Sequence, residues 1–220
     1  KEYEFSAILE SHVSQEQVYD TTVKPYLPGL KNGQSALVFC YGRTNAGKTY
    51  TVFGEQQQQQ GGDSSSQWGL VPRALQDLGS FELSYFEIYN EQIYDLLPSN
   101  NATTTSTDTH PLLKCVSRHT VSNVQDGMQL ITNTKRRSAC NGKNARSSRS
   151  HAVCRLSAST SADLWIIDLA GSERPGRQFH EAVQINTSLS TLNRCFLALR
   201  DNQKPPFRES KLTHILGHLW

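Results

Sequence analysis

The sequence predicts a single α/β domain with a central β-sheet. Apolar segments typical of strands alternate with segments of helical periodicity along the 220 residues. One apolar run, 35–41, leads into a glycine-rich loop, and a second, 164–169, contains an aspartate near its end. A chain of this length is sufficient for one sizeable hydrophobic core, so one domain is the simplest organisation.

The first elements surround a helix that prolines interrupt. The N-terminal part favours a strand, a loop, a helix over 18–30 and then a buried strand over 35–41. Pro25 and Pro28 interrupt the helix because proline lacks the N–H that an α-helix needs. Five consecutive glutamines follow within 55–67, which indicates a solvated low-complexity loop.

The later elements follow from periodicity, capping residues and turn residues. The predicted helices are 70–78, 91–97, 124–137 with Asn123 as N-cap, 181–201, and a last one that begins at Ser210. The predicted strands are 81–89, a short one that ends near Val121, 152–158 and 164–169, and 100–110 is a predicted surface loop. On the helix 181–201, one apolar face should contain Ile185, Leu189, Leu192, Phe196 and Leu199.

The most informative motif is the run 42–49, which matches G-x-x-x-x-G-K-[ST] at every fixed position. A predicted strand precedes it and a predicted helix begins at 50–53, which is the context that a phosphate-binding loop requires. Glycines let backbone N–H groups face phosphate oxygens, Lys48 reaches the β- and γ-phosphates, and the Thr49 hydroxyl binds Mg²⁺. This context disfavours a chance match in a turn. The predicted nucleotide-binding residues are Gly42, Arg43, Thr44, Asn45, Ala46, Gly47, Lys48, Thr49 and Tyr50.

Two further segments contain residues suited to nucleotide chemistry. Asp168 ends an apolar strand and Gly171 follows it, so that the carboxylate would bind Mg²⁺ and the glycine N–H would detect a γ-phosphate. The same spacing also occurs in ordinary turns. The Ser/Arg-rich segment 144–151 would alone indicate a solvated loop. It lies between the two motifs, however, where switch-type NTPases have the segment that closes on the γ-phosphate.

Composition argues against several classes of partner and site. A net charge of +2 is too small to favour nucleic acid, and no stretch approaches the length of a membrane span. The N-terminus does not have the layout of a signal peptide. Five dispersed cysteines form no C-x-x-C pair, which argues against a zinc or disulfide framework. We therefore expect no nucleic-acid partner and no membrane partner.

Together these motifs resemble the kinesin motor family over nearly the whole chain. The matching segments are 41–51 with the P-loop, 144–151 with switch I, 168–174 with switch II, 86–97 with the central strand and following helix, 185–192 with the microtubule-facing helix, and 208–213 with the segment after it. The resemblance implies a P-loop NTPase fold of kinesin motor type, in which helices flank a central mixed β-sheet on both faces.

The resemblance also implies an ATP hydrolase that uses Mg²⁺. Lys48 and Asn144 would contact phosphate. Ser148 would become a second Mg²⁺ ligand when switch I closes. The implied metal-binding residues are Thr49, Ser148 and Asp168.

The implied catalytic residues belong to the two switches. Ser147 would help to pass a proton from the attacking water. Arg149 would pair with Glu173 and join switch I to switch II, because an Arg–carboxylate pair is bidentate and geometrically strict. An exposed arginine of little consequence is the alternative. The set is Asn144, Ser147, Arg149, Gly171 and Glu173, and His151 is expected to be a core histidine without proton chemistry.

The implied partner is the microtubule. Basic residues fall where the family meets tubulin, whose surface the resemblance implies to be acidic, so that salt should weaken the contact. An ordinary solvated face of charges is the alternative. These residues are Arg194, Arg200, Lys204, Arg208 and Lys211. A homodimer through a coiled-coil stalk outside this chain is also implied.

Smaller similarities point to the kinesin-6 subfamily of mitotic kinesins of the central spindle. They are Asn45 and the segments 186–189, 199–203 and 209–214. They imply a role in the mitotic spindle and cytokinesis, on the cytoplasmic cytoskeleton at the spindle midzone.

The sequence departs from the family pattern at its ends and in its loops. It starts after the family's first strand and adenine pocket, and it stops before the last strand, last helix and neck linker. We expect one motor domain over 1–220, incomplete at both ends, with loop residues missing near 54–67, 98–110, 157–163, 174–179 and 203–205. If the short loop in switch II is real, the alternative is a nucleotide-independent or catalytically weak microtubule-binding module. A P-loop kinase or signalling GTPase is a further rival, although the N-K-x-D motif of GTPases is absent.

Overall fold

The fold is described from a computed structural model of the chain. The structure describes residues 5–55, 64–97, 110–134, 149–158, 162–173 and 179–219. The predicted loop around the glutamine run lies largely outside these residues, as do most of the loop 100–110 and most of the segment 144–151. Within the described part, no helix is both long enough and apolar enough to cross a membrane.

Six strands of the described residues form one mixed sheet. They are β1 (Ala36–Cys40), β2 (Phe81–Tyr89), β3 (Gln92–Asp95), β4 (His119–Val121), β5 (His151–Ser157) and β6 (Asp163–Asp168). The order is β1-β6-β5-β2-β3, and β4 pairs with β2. Only β1 and β6 among these pairs are parallel. Their register sets Cys40 opposite Asp168, so the glycine-rich loop and the acidic residue leave the sheet at the same edge.

Helices cover both faces of this sheet, as the resemblance implied. The helices are α1 (Gln15–Thr22), α2 (Leu27–Lys31), α3 (Lys48–Phe53), α4 (Leu70–Leu78), α5 (Val124–Asn133), α6 (Phe179–Arg200) and α7 (Lys211–Leu216). Because side chains alternate along a strand, Ile166 and Ile167 of β6 enter different clusters. Ile166 packs in a core with residues of α1 to α5, whereas Ile167 packs with residues of α6 and α7.

The predicted helix over 91–97 is wrong, because this segment contains β3. Asn90 and Glu91 both have φ of 56°. Two successive residues with positive φ make the tight turn of a β-hairpin, and Tyr89 pairs with Gln92 directly across it. The local sequence gave no sign of this turn, because neither residue is glycine. The segment that follows the central strand is therefore a strand and not a helix.

Other expectations are corrected in detail. The described residues 5–14 form no strand, and Phe5 and Ile8 are exposed rather than packed on the sheet. β1 is half-buried rather than buried because it lies at one end of the strand order. α5 ends at Asn133, with Thr134 as C-cap, rather than at 137. Leu199 is exposed, although Leu189 and Leu192 of the same helix are buried.

Candidate nucleotide-binding site

The glycine-rich loop joins β1 to α3 and has the backbone conformation that its sequence requires. Gly47 is the N-cap of α3 and has φ of 87°. This left-handed conformation favours glycine because a Cβ would strain it. Asn45 has φ of 64°, which asparagine tolerates better than most residues. The loop therefore turns tightly before the helix that begins at Lys48.

The Lys48 ammonium is held by the loop itself. Its Nζ donates to the carbonyl oxygens of Gly42, at 2.9 Å, and Arg43, at 2.7 Å. These contacts fold the side chain back over the loop rather than into solvent. A phosphate oxygen at the loop would offer the same ammonium a negatively charged acceptor in place of a neutral carbonyl, which adds the attraction between opposite charges.

Thr49 and Asp168 meet at the sheet edge. The Thr49 hydroxyl donates to Asp168 Oδ2 at 2.6 Å, although the two residues are far apart in sequence. Asp168 is buried at the end of β6, while Thr49 lies in the first turn of α3. Hydroxyl and carboxylate oxygens are ligands that Mg²⁺ takes in nucleotide sites, so this pair fits the cation. Burial, together with the negative charge of Asp168, raises the pKa of the neighbouring Cys40 thiol to about 11.

The segment after β6 lies directly against the glycine-rich loop. Leu169 N donates to the Cys40 carbonyl at 3.3 Å, and Ser172 N donates to the Gly42 carbonyl at 3.1 Å. Gly171 is buried between them, and an added Cβ would overlap Thr44 Oγ1 and the Glu173 carboxylate. A side chain at this position would therefore displace the Thr44 hydroxyl and the Glu173 carboxylate.

Glu173 accepts hydrogen bonds from Thr44. The Thr44 N–H donates to Glu173 Oε2 at 2.8 Å, and the Thr44 hydroxyl donates to Oε1. Partial desolvation acts to raise the pKa of Glu173, but the hydrogen bonds from Thr44 and the charge of Lys48 outweigh it, so the pKa lies below its ordinary value. Sequence reasoning missed this contact because no local pattern links positions in different motifs.

The proposed switch I residues are described only in part. Asn144, Ser147 and Ser148 lie outside the described residues. Arg149 is half-buried just before β5. Glu173 accepts hydrogen bonds from Thr44, and the ion pair between Arg149 and Glu173 stays a prediction.

His151, at the start of β5, touches both the segment after β6 and helix α6. Its Nδ1 accepts from the Ala170 N–H at 3.1 Å, and its Nε2 lies 2.8 Å from Ser188 Oγ. The sequence placed this histidine correctly in the core, but it gave no indication of the two partners, which come from distant segments.

The five predicted basic residues lie around the C-terminal half of α6, the following turn and the start of α7. Two of them have acidic partners: Arg194 pairs with Glu209, and Arg200 pairs with Asp201 at 2.8 Å. Lys211 is half-buried, and its backbone N–H donates to Glu91. Lys204 and Arg208 are exposed. The five basic residues thus differ in exposure to solvent and in pairing with acidic residues.

A cavity of about 640 Å³ opens between the end of β1, Ser172 and α6. Phe39, Leu192 and Phe196 form its apolar wall, and the Phe39 and Phe196 rings stack with their centroids 5.6 Å apart. The sequence gave no sign of it, because three separate segments form its lining.

Comparison with known proteins gives a consistent assignment. The family model "Kinesin motor domain" matches residues 1–219. A kinesin heavy chain of Doryteuthis pealeii is 34% identical over 250 aligned positions, which cover 98% of this chain and 25% of that protein. The kinesin-like protein KIP3 of Saccharomyces cerevisiae is 36% identical, covering 96% of this chain and 30% of that protein. The chain therefore spans 25% to 30% of the length of these relatives.

Solved structures agree in fold. A structure described as that of a fast kinesin, with implications for its ATPase mechanism and its interactions with microtubules, superposes with a TM-score of 0.77 at 30% identity. It covers 98% of this chain and 69% of that one. A structure named kinesin 6 superposes with a TM-score of 0.78, covering 99% of this chain and 81% of that one. Its identity is 23%, so the likeness shows the fold alone.

Proposed function

This chain belongs to the kinesin motor domain family, and we propose that it hydrolyses ATP to ADP and phosphate and couples the reaction to microtubule binding and force generation. The hydrogen bond between Thr49 and Asp168, under a glycine-rich loop of the P-loop pattern, is the observation on which the proposal chiefly rests. It brings together, from two motifs, the oxygen ligands that a nucleotide-bound Mg²⁺ requires.

In the proposed site, residues 42–50 surround the phosphates. The backbone N–H groups of the loop and the Lys48 ammonium bind phosphate oxygens, which replace the carbonyl partners that Lys48 has in this structure. Thr49 and Asp168 would hold Mg²⁺, together with Ser148, and the bound cation would supply charge neutralisation at the phosphates during transfer. The two protein ligands already face each other, so little reorganisation is needed.

The proposed hydrolytic step uses both switches. Gly171 offers its N–H to the γ-phosphate, Asn144 contacts phosphate, and Ser147 relays a proton from the attacking water. Arg149 pairs with Glu173 once the switches close. In this structure Glu173 accepts from Thr44. Closure would therefore change the hydrogen bonds on Glu173, as a two-state element does.

The proposed partner surface lies on the α6 and α7 face of the sheet. Lys204 and Arg208 are exposed, Arg194 and Arg200 are exposed in ion pairs with acidic residues, and Lys211 is half-buried beside them. We propose that this surface contacts the acidic surface of tubulin. We also propose a kinesin-6 type role in the mitotic spindle and cytokinesis, at the spindle midzone, with homodimerisation through a coiled coil outside the chain.

ATP turnover by the purified chain, measured with and without microtubules, tests the proposal. We expect turnover that requires Mg²⁺ and increases with microtubule concentration. Lys48→Ala should remove ATP binding and turnover, because it removes the main side-chain charge at the phosphates. Nucleotide affinity close to that of the parent in Lys48→Ala would contradict the assignment of the loop.

The same assay separates the rivals. Microtubule co-sedimentation without turnover, and without any effect of nucleotide, would identify a binding module rather than a motor. Turnover without microtubule binding would indicate a P-loop kinase or a signalling GTPase, and competition between ATP and GTP would tell those two apart.

A further inference from the structure

His151 is enclosed by three elements of the proposed motor. It opens β5, and its side chain is buried, with 3% of the residue exposed. Its ring reaches the backbone of Ala170, just after β6, and the side chain of Ser188 in α6. Ser188 is buried as well. One ring therefore connects the strand after switch I, the switch II segment and the long helix.

The two hydrogen bonds fix the tautomer of the ring. Nδ1 accepts from the Ala170 N–H, so it carries no proton, and the proton of the neutral ring lies on Nε2. Nε2–H then donates to Ser188 Oγ. Burial lowers the pKa of His151 to about 4, which keeps the ring neutral near pH 7.

The His151 ring with its contacts to Ala170 and Ser188 forms a bridge. One end of this bridge lies beside the glycine-rich loop. Ala170 immediately precedes Gly171, where an added Cβ would overlap Thr44 Oγ1 and the Glu173 carboxylate. Ser172 donates its N–H to the Gly42 carbonyl. A displacement of Gly171 toward a γ-phosphate would act on the Ala170 N–H through one Cα, because the peptide planes on either side of Ala170 meet at that atom.

The other end lies at a part of α6 whose packing is incomplete. The cavity of about 640 Å³ separates Ser172 from the α6 residues Leu189, Leu192 and Phe196. Side-chain packing alone thus leaves a gap between switch II and the helix at this level. The His151 ring crosses from the backbone of one to a buried hydroxyl of the other.

We propose that His151 is a positioning residue that transmits the displacement of Ala170 and Gly171 to α6 through Ser188. The inference rests on the proposed function, because it concerns how that nucleotide site changes the microtubule-facing helix. His151 does not touch nucleotide in this role. It couples two elements by holding one partner on each ring nitrogen.

The test compares Ser188→Ala, which removes the bridge acceptor, with Ser188→Thr, which keeps the hydroxyl. Ser190→Ala is the matched control, because Ser190 lies on the same helix and is exposed. The readout is the ratio of the microtubule dissociation constants measured with ADP and with a non-hydrolysable ATP analogue. Nucleotide affinity without microtubules and the thermal midpoint are measured in parallel.

Ser188→Ala should shift this ratio toward unity by about five-fold or more, the lower range of a coupling between sites. Its nucleotide affinity should stay close to that of the parent. Ser188→Thr and Ser190→Ala should keep the parent ratio. A merely structural serine would lower the thermal midpoint without changing the ratio, and that outcome would overturn the inference.

His151→Asn provides an independent variant. The short Asn amide reaches the position of Nδ1 and retains an acceptor for Ala170, but it does not reach Ser188. It should therefore reproduce Ser188→Ala, and the double variant should add little to either single change, because both remove the same link. Additive effects of the two changes would count against the bridge.

Hydrogen exchange separates failure of the inference from failure of the proposed function. If the parent shows no nucleotide-dependent microtubule affinity, the motor proposal fails. The bridge is then judged by the amides of α6 between 187 and 200, whose exchange should respond to nucleotide in the parent and in Ser188→Thr but not in Ser188→Ala. No response in the parent, or the same response in all three proteins, overturns the inference.

Discussion

Thr44 in the glycine-rich loop donates both its backbone N–H and its hydroxyl to the carboxylate of Glu173, 129 residues further along the chain. The contact holds the switch II segment against the loop, and the buried Gly171 fills the space between them. Glu173 is also the predicted partner of Arg149. The same carboxylate thus accepts from Thr44 in this structure and is the proposed partner of Arg149 in the closed state.

The first prediction concerns the carboxylate of Glu173. Thr44→Val removes the hydroxyl donor while keeping the backbone N–H, so the pKa of Glu173 should rise toward its ordinary value. Thr44→Ser, which keeps the hydroxyl, should leave the pKa where it is in the parent. NMR titration of the Glu173 carboxyl carbon measures both. Equal pKa values in the two variants would show that the hydroxyl does not contribute.

The second prediction concerns the proposed ion pair between Arg149 and Glu173. Arg149→Ala or Glu173→Ala should leave ATP binding largely intact but reduce microtubule-stimulated turnover on the order of a hundred-fold, because the pair is needed only when the switches close. The loss should appear in kcat, measured by steady-state kinetics.

Combining the two substitutions tests whether the residues act as a pair. If they do, the double variant should lose much less than the product of the single losses. Losses that multiply would contradict the proposed ion pair, as would single variants that weaken ATP binding and turnover equally.

The third prediction follows from the buried His151. Its pKa is lowered from 6.5 to about 4 in the folded protein, whereas in the unfolded chain it is ordinary. Below pH 6.5 the unfolded state therefore binds a proton that the folded state does not. The stabilisation that comes from the neutral His151 is fully present above about pH 6.5 and is lost as the pH falls to about 4. The free energy of unfolding should decrease by roughly 3 kcal/mol over this range because of this residue.

Urea unfolding across that pH range measures this loss. The free energy of unfolding should fall less steeply in His151→Gln, which has no titrating group at this position. His12→Gln is the control, because His12 is exposed, and its curve should follow that of the parent. Parallel curves for the parent and His151→Gln would show that His151 titrates alike in both states.

The fourth prediction concerns microtubule binding by the exposed basic residues. Arg194 and Arg200 have acidic partners and Lys211 is half-buried, so the sharper test changes Lys204 and Arg208 to glutamine together. Exposed charges contribute about 0.2–1 kcal/mol each, so the affinity at low salt should fall about 2- to 30-fold. The dependence on salt should weaken as well, while turnover without microtubules stays near the parent value.

A control for charge alone is available on the other face of the sheet. Lys24, which pairs with Asp20 at 2.7 Å, and Lys31 are exposed. The neighbouring Val23 and Leu30 pack in the core of α1 to α5 rather than that of α6 and α7. Changing both lysines to glutamine removes the same net charge and should leave co-sedimentation nearly unchanged over a salt series. Similar losses in the two double variants would place the tubulin contact elsewhere.

The sequence by itself determined the elements whose signals are local. The helix 70–78 and the strand 81–89 were predicted at their observed ends, because apolar spacing and strand alternation need no distant partner. The P-loop motif likewise fixed the turn at Gly47, because a left-handed backbone position favours glycine wherever the loop is placed.

The tertiary structure decided what depends on residues distant in sequence. The hairpin at Asn90 and Glu91 replaced a predicted helix because pairing with β2 outweighs local preference. The contacts of Thr49 with Asp168 and of Thr44 with Glu173 require the register of β1 on β6, which puts both chain segments at one sheet edge. No spacing within a motif encodes that register, since it is set by packing on both faces of the sheet.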